Sequence, residues 1–274
     1  MAYPDPNIRK PNFVPPPGAC DIHCHVLGKG TEHPELDSER LFALHRHLGF
    51  DHAVIVEARR HARAVTVAAL AASNGRYRGI VHVDDKVSEK ELLSLHEVGV
   101  RGVRFTYVSH LGGAPDLVVV RRVLERIRPY GWHVTFLLDP ADLLINLELM
   151  RGIRSNFVID HMGRGQTEDG LAAPGFKALL ELLKRDNAWV KVSGADRISS
   201  KGPPFHDAVP FAQALIEAAP DRVLWGTDWP HPTSRWKPDD ADLVDLIPLI
   251  APDAAVRQKL LVDNPERLYG FTRG

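Results

Sequence analysis

The stretch Gly18-Ala-Cys-Asp-Ile-His-Cys-His-Val-Leu27 decides the fold prediction, because a short strand pattern there carries two closely spaced histidines. Residues 20–25 are predicted to form a strand, in which successive side chains point to opposite faces. Asp21, His23 and His25 are therefore expected on one face, and the two cysteines on the other. Two imidazoles at the end of one strand can bind a metal ion or polarise a single substrate oxygen.

Downstream of this strand the chain repeats a pattern of strand followed by helix. Eight candidate strands, rich in β-branched and apolar residues, recur at the spacing of a βα unit. They span residues 20–25, 52–57, 77–83, 101–107, 132–138, 156–161, 188–193 and 222–228. Amphipathic stretches between and after them are predicted to be helices. These helices span residues 41–48, 61–73, 89–98, 117–128, 140–150, 174–185, 207–218, 240–250 and 253–262.

Eight alternating units in about 250 residues predict an α/β fold of the (β/α)8, or TIM-barrel, type. The alternative is an open, doubly wound sheet, which usually has a glycine-rich phosphate loop after its first strand. Here that position holds His23-Cys-His25, which favours the barrel. Residues 18–274 are predicted to form this single barrel domain.

Two segments are predicted to lie outside the regular pattern. Residues 1–17 are expected to form an extended N-terminal arm, because prolines at positions 4, 6, 11, 15, 16 and 17 fix φ and remove backbone donors. Residues 26–38 are the longest stretch without a clear structural pattern, and they are a candidate loop over the barrel mouth.

Composition excludes several classes of protein. The 274-residue chain has 44% hydrophobic residues and a net charge of −1, so it is globular and has no basic surface for nucleic acid. No apolar run reaches the roughly 20 residues that span a membrane, and no secretion signal is visible. The two cysteines would lie about 13 Å apart along the strand, too far for a disulfide. Buried free thiols predict a cytoplasmic protein, and the sequence leaves the oligomeric state open.

Charged, phenolic and imidazole side chains occur at the C-terminal ends of several predicted strands. In (β/α)8 barrels these strand ends meet at one face, where the active site lies. The candidates are His23 and His25 after strand 1, Arg104, Tyr107 and His110 after strand 4, His161 after strand 6, Arg197 after strand 7, and Asp228 and His231 after strand 8.

Each candidate also has a structural interpretation. Asp228 is equally consistent with the cap of a turn, and Asp160-His161 with a local polar pair. Arg104 and Arg197 can pair with neighbouring carboxylates, and His231 can be a loop residue. The other polar residues expected to be exposed or structural, and not functional, include Asp196, His45, His47, His96 and His206.

His23, His25, His161 and Asp228 together form a chemically coherent set. Three neutral nitrogen ligands and one carboxylate suit a single Zn²⁺ ion that keeps a water molecule. Without a metal, the imidazoles can donate hydrogen bonds to a carbonyl oxygen while Asp228 takes a proton from water. Both arrangements predict the attack of water on a polarised carbonyl group.

Six motifs extend the pattern from Pro15 to Gly270. They are Pro16-Pro-Gly-Ala-Cys-Asp-Ile-His-Cys-His25, Leu41-Phe-Ala-Leu-His-Arg-His-Leu-Gly-Phe50, Arg101-Gly-Val-Arg-Phe105, Val158-Ile-Asp-His-Met-Gly-Arg164, Trp225-Gly-Thr-Asp-Trp-Pro-His-Pro232 and Asn264-Pro-Glu-Arg-Leu-Tyr269. In these motifs the chain resembles the amidohydrolase superfamily, in its metal-dependent hydrolase branch. Within that branch it is similar to the 2-pyrone-4,6-dicarboxylate lactonases and related lactone hydrolases.

This resemblance implies a (β/α)8 barrel and a role for each matching residue. His23, His25 and His161 would polarise a lactone carbonyl, and Asp228 would activate the hydrolytic water. Arginines at two matching positions would bind substrate carboxylates through the bidentate guanidinium group. The full set expected to contact substrate is Arg104, Arg197, Tyr107, His110 and His231.

The resemblance leaves the cofactor open between no metal and one Zn²⁺ ion. The superfamily usually binds one or two divalent ions, but similarity to the pyrone-dicarboxylate lactonases implies none, and similarity to a sulfomuconolactone hydrolase implies zinc. Strand 5, Thr135-Phe-Leu-Leu-Asp139, ends without the histidine or lysine of a two-metal site. If one Zn²⁺ is bound, its expected ligands are His23, His25, His161 and Asp228.

Two positions depart from the pyrone-dicarboxylate pattern. Ser109-His110 stands where a further arginine is expected, and Leu137 stands where a tyrosine is expected. The loss of one charged and one phenolic contact would leave a second substrate carboxylate without partners. The predicted substrate is therefore a small acidic lactone with one carboxylate fewer or with a different acidic group.

The predicted activity is hydrolysis of a cyclic ester from aromatic-compound breakdown. One alternative is a Zn-dependent decarboxylase or hydratase of the same superfamily, for which metal dependence and CO₂ release would be diagnostic. Another is a lactone isomerase, which would release no acid. A non-catalytic protein that binds a sugar acid or an aromatic acid is disfavoured, because binding alone needs no water-activating carboxylate.

Overall fold

The computed structural model describes residues 8–28, 31, 33–58, 62–231 and 234–271, apart from the side chain of His110. Eight strands form one sheet in chain order, and each strand pairs in parallel with the next. They are β1 (Cys20–Cys24), β2 (His52–Val56), β3 (Tyr77–Val81), β4 (Val100–Thr106), β5 (His133–Leu137), β6 (Phe157–Ile159), β7 (Ala188–Lys191) and β8 (Val223–Leu224). All eight predicted strands are confirmed, and each ends earlier than predicted because the chain turns into a loop.

Backbone contacts between β1 and the segment after β8 close the barrel. The Ile22 amide donates a 3.1 Å hydrogen bond to the Trp225 carbonyl, and the His25 amide donates one of 2.8 Å to Trp229. Gly226 permits this approach, since a Cβ atom there would lie 2.5 Å from the backbone nitrogen of His23. The predicted (β/α)8 barrel is therefore confirmed, and the open doubly wound sheet is excluded.

Helices lie between the strands and after β8 where the amphipathic pattern predicts them, and two short helices, at residues 195–198 and 264–269, are present in addition. They are α1 (Ser38–Leu48), α2 (Arg63–Ala72), α3 (Glu89–Glu97), α4 (Leu117–Ile127), α5 (Pro140–Ile145), α6 (Leu147–Gly152), α7 (Pro174–Leu182), α8 (Ala195–Ile198), α9 (Val209–Ala218), α10 (Asp240–Asp245), α11 (Ile247–Ile250), α12 (Ala254–Gln258) and α13 (Asn264–Tyr269). Gly49 ends α1 with a φ of 89°, a left-handed conformation that favours glycine.

Two helices predicted to be continuous are each divided into two. The break between α5 and α6 lies at Asn146, whose side-chain amide donates a 2.8 Å hydrogen bond to the Asp142 carbonyl. Such a bond competes with the helical backbone bonds. The break between α10 and α11 precedes Pro248, which has no backbone N–H to continue the helix.

The prediction that Asp21, His23 and His25 share one face of β1 is wrong. The pairing of β1 with β2 shifts register between Asp21 and Cys24, and a bulge of this kind breaks the alternation of side chains. Cys20 joins the apolar cluster inside the barrel, whereas Cys24 joins the cluster between strands and helices. The two cysteines are therefore on different faces, and both are buried free thiols, as predicted.

The interior of the barrel has an apolar floor with a polar layer above it. The floor consists of Cys20, Ile22, Val54, Val56, Ile80, Val158, Trp189, Leu224 and Tyr269. The polar layer contains Arg104, Thr135, Asp160 and Lys191, which are all buried. Because the floor closes one end, ligands can approach only from the C-terminal mouth, where (β/α)8 enzymes place their active sites.

The described part of the N-terminal arm, residues 8–17, contains neither helix nor strand. Arg9 forms ion pairs with Asp242 and Asp245, and the Asn12 and Phe13 amides both donate to Asp245. The arm is thus held along α10. Residues 1–7 lie outside the described part. Among the described helices, none has the length and hydrophobicity needed to cross a membrane.

Candidate active site

The four residues predicted to carry the chemistry converge at the mouth of the barrel. Asp228 Oδ1 lies 3.5 Å from His23 Nε2 and 3.3 Å from His25 Nε2, and Asp228 Oδ2 lies 3.8 Å from His161 Nε2. All four side chains are buried. One carboxylate is thus surrounded by three imidazoles in a site that excludes most water.

The backbone holds these side chains in positions that few other sequences would allow. Asp228 and His161 have φ angles of 66° and 49°, which are uncommon for residues other than glycine. The Asp228 amide donates a 2.7 Å hydrogen bond to the His23 carbonyl. Gly194, with a φ of 78°, leaves room for His161, since a Cβ atom there would lie 3.0 Å from the His161 ring.

Hydrogen bonds fix the direction of the His25 ring and leave that of His161 adaptable. His25 Nδ1 lies 2.7 Å from the Val56 carbonyl oxygen, which can only accept, so Nδ1 carries a proton. Its other nitrogen, Nε2, faces Asp228 Oδ1. His161 Nδ1 lies 3.0 Å from the Ser193 hydroxyl, which can donate or accept.

Asp160 anchors the polar layer directly beneath the histidines. Arg104 donates to Asp160 Oδ2 through both Nε and Nη2, at 2.9 Å each. Lys191 Nζ forms an ion pair with Asp160 Oδ1 at 3.0 Å and a 3.2 Å hydrogen bond with His23 Nδ1. Arg104, predicted to contact substrate, is therefore located in a buried ion pair that joins β4 to the end of β6.

Burial and neighbouring charges set the protonation states of the site. Burial alone would raise the pKa of Asp228, but Arg197, followed by the histidines, holds it well below its usual range. Burial also opposes the ionisation of Asp160, yet Lys191 and Arg104 hold its pKa well below the usual range too. Burial, followed by the charge of Lys191, lowers the pKa of His23 to about 3. The site thus combines ionised carboxylates with a neutral imidazole at neutral pH.

Arg197 lies in α8, the short helix after β7, and contacts Asp228 directly. Its Nε donates to Asp228 Oδ2, and its side chain is almost entirely buried. Burial alone would lower the pKa of Arg197, but the charge of Asp228 raises it. The structure therefore places this predicted substrate-binding residue against the candidate general base.

The remaining predicted contact residues lie around this centre. His231 Nε2 lies 3.0 Å from Asp240 Oδ1, and its Nδ1 lies 3.9 Å from Asp196 Oδ2. Tyr107 is buried, and burial followed by the charge of Asp142 raises its pKa to about 12. In the described part of the chain, no hydrogen bond or ion pair joins Tyr107 or His231 to the three site histidines. The side chain of His110 lies outside the described residues.

Several polar residues that sequence reasoning set aside are buried in the structure. His45 was expected to be exposed, but it is 1% exposed and lies between the Tyr77 hydroxyl and Asp21 Oδ2. Its place on the apolar stripe of α1, between Leu41 and Leu48, is the signal that could have revealed this. Asp196, predicted to be a surface or structural charge, is also fully buried.

Asp21 and Lys191 are two buried charged residues to which the sequence analysis assigns no role. Asp21 accepts hydrogen bonds from the Thr227 hydroxyl and amide, and so joins β1 to the segment that carries Asp228. Lys191 follows Trp189 in the period-two pattern of a buried strand. A lysine that faces the interior of a barrel is rarely unpaired. Its position in the strand could therefore have predicted a buried ion pair.

The same side chains permit a test of the predicted metal site. Ligand atoms of His23, His161 and Asp228 lie within 4.8 Å of one another, which is the proximity a metal ion requires. However, Arg197 occupies one oxygen of Asp228, and Lys191 lies against the reverse side of His23. A divalent cation at this position would be close to two buried positive charges, so the residues do not fit a tightly bound metal.

Comparison with known proteins agrees with this geometry. The amidohydrolase family matches residues 20–271. The chain is 41% identical to a 2-pyrone-4,6-dicarboxylate hydrolase of Comamonas testosteroni, over 96% of this chain and 93% of the relative. It is 39% identical to a 4-sulfomuconolactone hydrolase of Rhizobium radiobacter, over 94% of this chain and 92% of the relative.

A solved structure has the same fold. The ligand-free crystal structure of an Agrobacterium tumefaciens protein superposes with a TM-score of 0.83 at 32% identity, over 96% of this chain and 100% of the other. Fold, site and sequence similarity all extend over nearly the whole chain. The protein belongs to the amidohydrolase family.

Proposed function

We propose that this protein hydrolyses a small lactone with one anionic group, of the pyrone or muconolactone type formed in aromatic-compound catabolism, and so is a carboxylic ester hydrolase. The observation that carries the proposal is Asp228, a buried carboxylate whose oxygens lie 3.3–3.8 Å from three imidazoles. The two relatives described above are named as hydrolases of a pyrone dicarboxylate and of a sulfomuconolactone.

The hydrolytic water is assigned to Asp228. Its Oδ1 atom lies 3.3 Å from His25 Nε2, so a water molecule that donates to Asp228 also lies beside His25. Asp228 takes a proton as the water oxygen attacks the lactone carbonyl carbon. The ring C–O bond then breaks, and the proton passes to the leaving ring oxygen.

Polarisation of the lactone carbonyl is assigned to the other two imidazoles. His23 and His161 lie beside the same carboxylate, with ring centroids 4.6 Å apart. Hydrogen-bond donors aimed at the carbonyl oxygen stabilise the negative charge that develops there during attack. Because both rings are buried, such donors act with little competition from solvent.

The two departures from the pyrone-dicarboxylate pattern favour one anionic group on the substrate. Ser109-His110 and Leu137 would leave a second substrate carboxylate without the charged and phenolic partners expected there. The proposed substrate therefore has a single carboxylate or sulfonate.

The test is acid release followed with a pH indicator. Muconolactone-type lactones and 2-pyrone-4,6-dicarboxylate would be compared with the protein as purified, after chelation and with added Zn²⁺. We expect hydrolysis after chelation, with the higher kcat/KM for a lactone that has one anionic group. The Asp228→Asn variant should lose activity, while Asp221→Asn, at the opposite end of the barrel, should retain it.

Each rival activity has a distinct outcome in the same assay. Faster hydrolysis of the pyrone dicarboxylate would contradict the proposed substrate class. Release of CO₂ that depends on Zn²⁺ would identify a decarboxylase, and water addition without ring opening would identify a hydratase. A new lactone without net acid release would identify an isomerase. Each of these results would replace the hydrolase proposal.

A further inference from the structure

Lys191 is a buried charge at the centre of the barrel that the proposed mechanism does not use. It lies at the end of β7, with a relative exposure of 0%. Its ammonium group contacts two partners, Asp160 Oδ1 at 3.0 Å and His23 Nδ1 at 3.2 Å. Burial of a lysine is costly, so a role beyond packing is expected for it.

The contact with His23 constrains where the imidazole proton lies. An ammonium group has only donors, whereas a neutral imidazole has one donor nitrogen and one acceptor nitrogen. Because Lys191 donates, Nδ1 of His23 must accept, and the single ring proton is then on Nε2.

We propose that Lys191 is a positioning residue that holds His23 in the tautomer protonated on Nε2. This tautomer turns the outer nitrogen of His23 into a hydrogen-bond donor that faces Asp228 and the place of the lactone carbonyl. It also withdraws the lone pair through which His23 would bind a metal ion. The part concerning the lactone rests on the proposed function, whereas the tautomer and its effect on metal binding do not.

Asp160 provides the competing arrangement that Lys191 prevents. Its Oδ1 atom lies 3.6 Å from His23 Nδ1, close enough to accept a proton from that nitrogen after a small movement. A carboxylate that accepts from one imidazole nitrogen leaves the other nitrogen free to bind a metal, as in many zinc sites. Lys191 lies between these two groups, and its charge selects the donor tautomer.

His25 is held from its inner side by a different partner. Its Nδ1 donates to the Val56 carbonyl oxygen, whereas Nδ1 of His23 accepts from Lys191. The two rings are nearly perpendicular, with centroids 5.1 Å apart. A backbone carbonyl thus orients one ring, and a buried ammonium group orients the other.

The direct test is the nitrogen NMR spectrum of the histidine side chains, with the His23 signals identified by their absence in His23→Gln. In the wild-type protein we expect His23 to be protonated on Nε2. In Lys191→Met we expect the proton to move to Nδ1. A wild-type spectrum with His23 protonated on Nδ1 would overturn the proposal, and this result needs no Lys191 variant to fold.

Zinc affinity is the second readout, measured by competition with a chelating indicator. We expect Lys191→Met to bind Zn²⁺ about tenfold or more tightly than the wild type, the scale at which neighbours of metal ligands act. His133→Gln is the matched control, because His133 is a buried polar residue of the barrel interior that does not contact His23. It should change neither the tautomer nor the zinc affinity. Equal zinc affinity in Lys191→Met and wild type would contradict the proposal.

The outcomes separate this inference from the proposed function. Protonation on Nε2 without lactone hydrolysis would leave the role of Lys191 intact and reject the hydrolase. Hydrolysis by a protein with His23 protonated on Nδ1 would retain the hydrolase and reject the role of Lys191. If Lys191→Met is unfolded by circular dichroism, the wild-type spectrum decides the proposal alone, because it needs no Lys191 variant.

Discussion

The backbone amide of Asp228 donates a 2.7 Å hydrogen bond to the carbonyl oxygen of His23. The candidate base and the candidate carbonyl donor are thus connected through the main chain where the barrel closes. Their backbones cannot move apart without breaking that bond. Closure of the barrel and assembly of the site are therefore the same structural event.

Substitution of Gly226 by alanine should damage both stability and activity. The added Cβ atom would lie 2.5 Å from the His23 nitrogen and 2.7 Å from Asp21 Oδ1, so the strands at the junction would have to separate. We expect a loss of about 3 kcal/mol in the free energy of unfolding, measured with urea. Gly152→Ala, which adds a Cβ with nothing within 4 Å, is the control and should change neither property.

Replacement of Asp228 by asparagine should lower kcat by about 10³-fold, because the amide cannot take a proton from water. The side chain keeps nearly the same size, so the fold should persist, as circular dichroism would show. Hydrolysis rates of the purified variant provide the measurement. Retention of more than a tenth of the wild-type kcat would remove Asp228 from the role of general base.

The dependence of activity on pH should report the contact between Arg197 and Asp228. Arg197 helps to hold the pKa of Asp228 well below its usual range, so the carboxylate remains ionised as the pH falls and wild-type kcat/KM should stay constant down to about pH 5. In Arg197→Gln the pKa of Asp228 rises, and the acidic limb of the profile should move to higher pH. A rise in KM with an unchanged profile would instead assign Arg197 to substrate binding alone.

Asp160 should make a large contribution to stability that depends on pH. In Asp160→Asn the buried cations Arg104 and Lys191 lose their counter-charge, which should cost about 3–5 kcal/mol. Because the folded-state pKa of Asp160 is depressed, the stabilisation is present above the unfolded value of about 4 and declines as the pH falls below it.

Urea unfolding of the wild type and Asp160→Asn at pH 7 and pH 3 tests this expectation. The difference between the two proteins should be smaller at pH 3. Glu148→Gln is the control, because Glu148 forms an exposed ion pair with Arg151 within one helix, and such pairs contribute little. Equal destabilisation at both pH values would contradict the assigned ionisation of Asp160.

The sequence was sufficient for the order of elements and for the centre of the site. Period-two and helical patterns revealed eight βα units, and the rule that strand ends meet at one face brought His23, His161 and Asp228 together from distant parts of the chain. Each pattern covers a single strand or helix, and the order of these elements along the chain predicts the barrel. The family resemblance added roles that local patterns do not contain.

What the sequence did not reveal depends on contacts between distant segments. The bulge in β1 arises where β1 pairs with β2 and meets the chain after β8, so alternation alone placed Asp21 on the wrong face. Arg104 and Arg197 were correctly located at strand ends, but their carboxylate partners, Asp160 and Asp228, come from other strands. The charge of Lys191 was overlooked because its partners also lie on other strands.

The junction between β1 and the segment after β8 also determines when the catalytic site can form during synthesis of the protein. His23 leaves the ribosome 205 residues before Asp228, which lies in the segment that closes the barrel. A nascent or truncated chain that lacks this segment contains the histidines but not their carboxylate. Lactone hydrolysis would therefore report that a molecule has been translated past this segment and closed, not merely that its first strands have folded.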